Sequence, residues 1–149
     1  MNKEVHAATE ADLDFIYDTL RADLDEQGVL YRFKYTEKEF KNALFGKYPI
    51  AHFLILFIDG QHAGFANFSI DNRNFTANYL PNLYLNDLYV CKPYRRTGYA
   101  RLLFTKLKEI AKQEKCGRIE WLVQKENEQA IAFYKTIPNT RIIESLHYM

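Results

Sequence analysis

Leu13, Ile16, Tyr17, Leu20 and Leu24 recur at the i, i+3, i+4, i+7, i+11 spacing of one helical stripe, and the aspartates between them fall largely on other faces. That pattern predicts an amphipathic helix. Ahead of it "EVHAAT" reads as a short strand, and Thr9 with Asp12 three residues on resembles a capping box with Asp in the acidic place. "TEKEF" is a second box, in which Thr36 and Glu39 open a short helix carrying Phe40, Leu44 and Phe45 and stopping at Gly46. The intervening "EQGVLYRFKY" reads as a loop.

The pattern then changes. "AHFLILFIDGQHAGFANFSI" joins two apolar, β-prone runs through Asp59-Gly60, a strong hairpin signal. "DNRNFTANYLPN" is a polar connection, and "LYLNDLYV" is the next strand. From Ala100, residues Leu103, Leu107, Ile110 and Ala111 return to helical spacing, with Gly117 placed as the glycine that ends the helix. "RIEWLV" alternates as a strand, and Asn127 can cap a short helix on which Ala130, Phe133 and Ile137 share a face before Pro138. "TRIIESLHYM" is expected to be a last strand. No internal repeat, low-complexity tract or linker interrupts the sequence.

Composition narrows the class. With 149 residues, 15% of them aromatic, the chain is expected to form a single domain over 1–149 with a substantial core. A net charge of +1 argues against a general nucleic-acid binder. The total hides an asymmetry: residues 1–30 hold eight acidic and two basic residues, and residues 92–118 hold nine basic and two acidic ones. Cys91 and Cys116 have neither metal-ligand spacing nor a disulfide pattern, so a reducing cytoplasm is the default expectation. The apolar run at 53–58 is too short to span a bilayer, and no export signal or membrane partner is expected. His6, His52, His62 and His147 are scattered without i, i+4 pairs, so no metal is expected.

Candidate chemistry concentrates in "YRRTGYARLL", residues 94–103. Gly98 at the mouth of a helix permits close backbone approach, and the first-turn N–H groups carry the positive end of the helix dipole. Arg95 and Arg96 point to phosphate. The order strand, loop, helix, strand predicts a right-handed crossover unit, which puts the loop at the carboxyl edge of the sheet, where open α/β sheets bind ligands. Neither GxGxxG nor a Gly-Lys-Ser/Thr P-loop occurs in the chain.

The stretch from about 83 to 137 resembles the acetyl-CoA-binding core of the GNAT superfamily of N-acetyltransferases. Its signature, Gln/Arg-x-x-Gly-x-Gly/Ala after a strand, reads here Arg95-Arg96-Thr97-Gly98-Tyr99-Ala100. "NDLYV" before it, the leucine-bearing helix behind it, and Asn127 followed by "AFY" stand in the family's order. The resemblance implies an α/β (α+β) fold with a central mixed, mostly antiparallel sheet of six to seven strands flanked by about four helices. It implies acetyl-CoA as cosubstrate and an acceptor that is a primary amine of a small molecule or peptide, with a homodimer as the expected assembly.

Residue by residue, the resemblance implies that backbone groups of Leu88, Tyr89 and Val90 pair with the pantetheine arm. The loop opened by Arg95 would ring the pyrophosphate with the amides of Arg96, Thr97, Gly98, Tyr99, Ala100 and Arg101. Asn127 would touch the arm, and Tyr134 would protonate the departing thiolate, a role suited to a phenol that stays un-ionised at neutral pH.

Two departures matter. Relatives acting on polyamines or lysine-like amines often place a glutamate before the aspartate of this strand, where the chain has Asn86-Asp87, so Asp87 or Glu120 acting through water are the carboxylates left as base. "YKTIPNT" lacks the glycine common after the short helix. The first departure keeps a second reading open, a CoA-binding regulatory or sensing module without transfer. A third, nucleic-acid contact by the basic segment, is disfavoured because its lysines spread around a helix with no array of stacking aromatics. The acidic first helix suits a cationic amine.

Overall fold

The computed structural model describes residues 1–144. Strand β1 (Lys3–Ala7) leads to Thr9, whose N–H donates to Asp12 Oδ2 at 2.8 Å, so Asp12 does take the acidic place of the first capping box. One 3₁₀ turn (Glu10–Asp12) feeds helix α1 (Leu13–Glu26), which buries Leu13, Ile16 and Leu20 of the predicted stripe. Helix α2 (Glu37–Phe45) opens on the second box: the Glu39 N–H donates to Thr36 Oγ1 at 3.1 Å and the Thr36 N–H to Glu39 Oε2 at 2.8 Å. Strands β2 (His52–Ile58) and β3 (Gln61–Asp71) form the expected hairpin, with Asp59 (φ 49°) and Gly60 (φ 78°) both left-handed as its tight turn demands. Strand β4 (Asn82–Val90), helix α3 (Tyr99–Gln113), strand β5 (Arg118–Trp121) and helix α4 (Glu128–Lys135) complete the described elements.

The sheet runs β1-β2-β3-β4-β5, antiparallel at the first three pairings and parallel between β4 and β5, with α3 as the crossover. This is a mixed, mostly antiparallel sheet with four α-helices among the described residues, but it has five strands rather than six to seven. The expected last strand supplies none of them: residues 140–144 are irregular and exposed, and 145–149 lie outside the described residues. After Pro138 the chain turns at Asn139 (φ 60°), and an exposed segment has no face to bury in a sheet. "RIEWLV" is likewise cut short, since β5 ends at Trp121 and leaves Leu122 and Val123 exposed.

Layers of side chains cover both faces, which explains why "HFLILFI" is continuously apolar. Leu54 and Leu56 pack with Phe68, Leu83, Leu103 and Leu107 on the α3 side, and Phe53 and Ile55 pack with Ile16, Leu20, Phe40 and Phe65 on the α1/α2 side. Gly117 does not end α3 as expected. Lys115 (φ 56°) takes the left-handed position, the Lys115 N–H donates to the Lys112 carbonyl at 3.2 Å, and the Cys116 N–H donates to the Ala111 carbonyl at 2.8 Å. Gly117 instead admits Leu80, whose Cβ lies 3.1 Å from where a Cβ at 117 would stand.

One irregularity positions the site. Asn67 faces Asp87 while Phe68 faces Leu85, so Asn86 is an extra residue in β4, a bulge. Leu83 and Leu85 before it, and Leu88 and Val90 after it, all join the α3-side core, an inversion of parity that only an inserted residue allows. Asp87 and Tyr89 are thereby sent to the α1/α2 side. β5 pairs with β4 only as far as Leu85↔Trp121, so from Asn86 to Val90 the β4 edge runs on beyond its neighbour.

Candidate active site

At the end of β4 the Cys91 N–H donates to the Ala63 carbonyl at 2.8 Å, and a 3₁₀ turn (Lys92–Tyr94) swings the chain toward α3. Arg96 (φ 62°) and Gly98 (φ 85°) are both left-handed and flank Thr97, whose Oγ1 donates to the Tyr94 carbonyl at 2.6 Å. Left-handed residues in such a turn, followed by the unpaired first-turn amides of a helix, curl successive N–H groups around a point suited to an anion. Gly98 caps α3 in a conformation that a side chain would strain.

The side chains of the signature divide. Arg96, Thr97 and Gly98 are exposed at the loop, and Ala100 is half-buried and small. Tyr99 is buried in the core, so only its amide can serve a ligand. Arg101 is turned to α4, donating to Thr136 Oγ1 at 2.6 Å. Arg95 bends back: its Nε donates to the Val90 carbonyl at 2.7 Å and its guanidinium lies 5.2 Å from the Tyr89 ring centre. It staples the loop to the end of β4, and Lys92 adds an ion pair with Glu26 of α1 at 3.3 Å. The basic loop and acidic helix singled out by charge therefore meet.

Leu88 and Val90 bury their side chains in the α3-side core, leaving their backbone to line the β4 edge. Asn127 Oδ1 accepts the Ala130 N–H at 3.0 Å and caps α4. On that helix Tyr134 packs against Trp121 at the end of β5, with ring centres 5.0 Å apart. Burial pushes the Tyr134 phenol up to about 12, and the negative charge of Asp87 adds to the effect. The two groups thus approach the same opening from different elements.

Asp87 is held by a short polar chain. Asn67 Nδ2 donates to Asp87 Oδ2 at 2.8 Å, and Asn86 Nδ2 donates to Ser69 Oγ at 3.1 Å and to Asn67 Oδ1 at 3.4 Å. Burial raises the Asp87 pKa despite the Asn67 bond, and Asp23 of α1 adds a like charge. Burial also raises Asp23 itself. The other sequence candidate separates from this group: Glu120 is ion-paired with Arg118 on β5. Asn67, Ser69 and Asp23 were not singled out as site residues, although Asn67 is a polar interruption in a run buried on both sides.

On the α1/α2 side of the sheet a cleft of about 340 Å³ has Asn67, Ser69, Asn86 and Asp87 as its polar floor. Among the described residues no group of three or more His, Cys, Asp or Glu side chains gathers as a metal site, and no helix is long and apolar enough to cross a membrane. Cys91 and Cys116 are free thiols, both raised by burial.

A parallel crossover with a loop of free helix-start amides at its carboxyl edge thus lies beside an open strand edge and a half-buried acid and phenol. The family model described as Acetyltransferase (GNAT) family matches residues 13–137, and the chain belongs to this family. It is similar to a thialysine N-epsilon-acetyltransferase of Caenorhabditis elegans, 35% identical over 94 residues that make up 63% of this chain and 57% of that protein. It is also similar to the L-ornithine N5-acetyltransferase NATA1 of Arabidopsis thaliana, 37% identical over 73 residues, 49% of this chain and 31% of that protein. The matched segments thus span less than two thirds of either relative's length. An aminoglycoside acetyltransferase from an uncultured soil metagenomic sample, solved with sisomicin, shares the fold, with a TM-score of 0.80 at 13% identity over 99% of this chain and 94% of that one.

Acetyl-CoA fits the residues present. A pyrophosphate calls for convergent amides, which the loop from Arg96 and the first turn of α3 supply. An arm bearing amides calls for a strand edge with unshared backbone groups, which β4 offers beyond Leu85 apart from the Val90 carbonyl held by Arg95.

Proposed function

We propose that the chain is an acetyl-CoA-dependent N-acetyltransferase that acetylates a primary amine of a small molecule or peptide by direct attack in a ternary complex. The observation that carries this is the stretch of β4 that runs on unpaired with β5 past Leu85 and Trp121, with an anion loop at one end and Asp87 and Tyr134 beside it. The relatives support an amine acceptor, since thialysine and ornithine both present a primary amine at the end of a side chain.

Acetyl-CoA supplies an activated acyl carbon on a thiol leaving group. Backbone groups of Leu88, Tyr89 and Val90 hold the arm as an added strand, and the amides from Arg96 to Arg101 hold the pyrophosphate, with Arg95 fixing the loop to β4. Asn127 borders the arm from the start of α4. Asp87 takes a proton from the entering ammonium, directly or through a water, because only the neutral amine has a lone pair to give. As the N–C bond forms and the C–S bond breaks, Tyr134, kept protonated until then by its raised pKa, gives its proton to the sulfur, and the second proton shed by the acylated nitrogen passes through water to the Tyr134 phenolate.

Calorimetric titration with acetyl-CoA, followed by free-thiol release across a panel of primary amines, tests the proposal. Saturable binding lost in Gly98→Glu and Arg96→Glu is expected, with amine-dependent thiol release that falls about 10²- to 10⁴-fold in Tyr134→Phe. Absence of saturable binding would remove both the transferase and a CoA-binding sensor. Binding without thiol release from any amine would leave the sensor.

A further inference from the structure

The acceptor cleft is divided by chemistry. Its floor on the sheet is polar, but its walls are made by Leu20 and Leu24 of α1, Phe33 and Tyr35 of the following loop, Phe40 of α2 and Ile50 before β2. Phe33, Tyr35 and Phe40 form one aromatic wall, their ring centres 5.5 to 5.9 Å apart. The Tyr17 hydroxyl, donating to the Tyr35 carbonyl at 3.2 Å, fixes the loop that carries two of them. Among the lining residues Asp87 alone bears a charge. Ile50 and Tyr35 also expose apolar surface, at 62% and 42%, so the greasy wall reaches solvent.

Charge complementarity bears on how many ammonium groups an acceptor can carry: Asp87 is the carboxylate that lines the cleft, and Asp23 of α1, which adds a like charge to it, is not among the lining residues. One amine can be set at Asp87, whose carboxylate is oriented by Asn67. A second ammonium farther along the same molecule would lie against Leu24, Phe33 and Phe40, where no carboxylate lines the wall to receive it. An uncharged stem gains there, because one methylene buried in an apolar pocket changes kcat/KM by about 10- to 200-fold. The cleft volume lies at the lower end of the range for small-molecule sites, enough for one ring or a short alkyl chain.

We propose that the acceptor is a monoamine on an uncharged alkyl or aromatic stem, with its amine at Asp87 and its stem against the Phe33, Tyr35 and Phe40 wall. This rests on the transferase reading of the same opening. It commits Leu24 and Phe33 as residues that select against polycations, and Asp87 as the one charged residue lining the cleft.

The test compares acceptors that differ by a single ammonium: n-pentylamine and 2-phenylethylamine against 1,5-diaminopentane, spermidine and lysine, with acetyl-CoA at saturation. The monoamines are expected to exceed 1,5-diaminopentane in kcat/KM by about tenfold or more. Leu24→Glu is expected to reverse that order while leaving acetyl-CoA affinity unchanged, and Phe33→Leu to penalise 2-phenylethylamine more than n-pentylamine. If 1,5-diaminopentane or spermidine equals or beats n-pentylamine, the proposal is overturned. Should no amine turn over, equilibrium binding of the same pair in the presence of CoA decides, with tighter binding of the diamine, or binding of neither, overturning it. Failure of acetyl-CoA itself to bind would be the distinct failure of the transferase reading.

Discussion

Asp87 carries a negative charge at a place that resists it, and its neighbours direct that charge without neutralising it. Asn67 donates to one carboxylate oxygen, and among the described residues Asp87 has no ion-pair partner. Burial holds its folded-state pKa above the ordinary carboxylate value near 3.9. The folded chain therefore binds more protons than the unfolded chain as pH rises from that value through the folded pKa, and stability falls across this window. Above the folded pKa the full penalty is present. Asp87→Asn is accordingly expected to raise Tm at pH 7, with an advantage that vanishes below about pH 3.9, while thiol release drops about 10²- to 10⁴-fold. Thermal melts at both pH values beside the thiol assay check it; an unchanged Tm at pH 7 contradicts the argument. Asp87 could be picked out of the sequence because it stands in the strand ahead of the loop. Its partner Asn67 could not, since it lies 20 residues earlier and only strand pairing unites them.

Elements whose signals are local were legible in the sequence. The Thr36–Glu39 box, the Asp59-Gly60 turn and the α1 stripe each depend on residues within one or two turns of one another. The end of α3 was not, because a glycine's position alone does not say whether it serves conformation or packing. Gly117 accommodates Leu80, and the left-handed place fell to Lys115. A left-handed conformation costs a residue with a Cβ roughly 1 to 2 kcal/mol. Lys115→Gly, at an exposed position, is therefore expected to stabilise the chain by about 1 kcal/mol in urea denaturation. Gly117→Ala should gain less than Lys115→Gly, because the new Cβ would meet Leu80 Cβ at 3.1 Å. The reverse pattern would mean that the two glycine roles have been exchanged.

At the scale of the whole molecule, the β2–β3 hairpin and the crossover followed from the alternation of strand and helix signals, but the strand order and the sheet's extent did not. Residues 140–144 have the β-prone composition of a strand and yet lie exposed, since composition does not supply a neighbour. The bulge at Asn86, where β4 leaves its pairing with β5, was equally hidden, because an inserted residue reads as ordinary strand until its partner's register is known. A ligand that fills this opening binds only the folded state. CoA at 100 times its Kd should therefore add about 2.7 kcal/mol to stability and raise Tm, a shift that Gly98→Glu should abolish. The five residues of β4 beyond Leu85 have a further consequence, for the life of the protein in solution. A strand margin with unclaimed backbone groups is a template for any extended chain, another copy of this one included. A donor held along that margin, as proposed, would also guard against self-association, so light scattering on storage should grow fastest in preparations stripped of CoA.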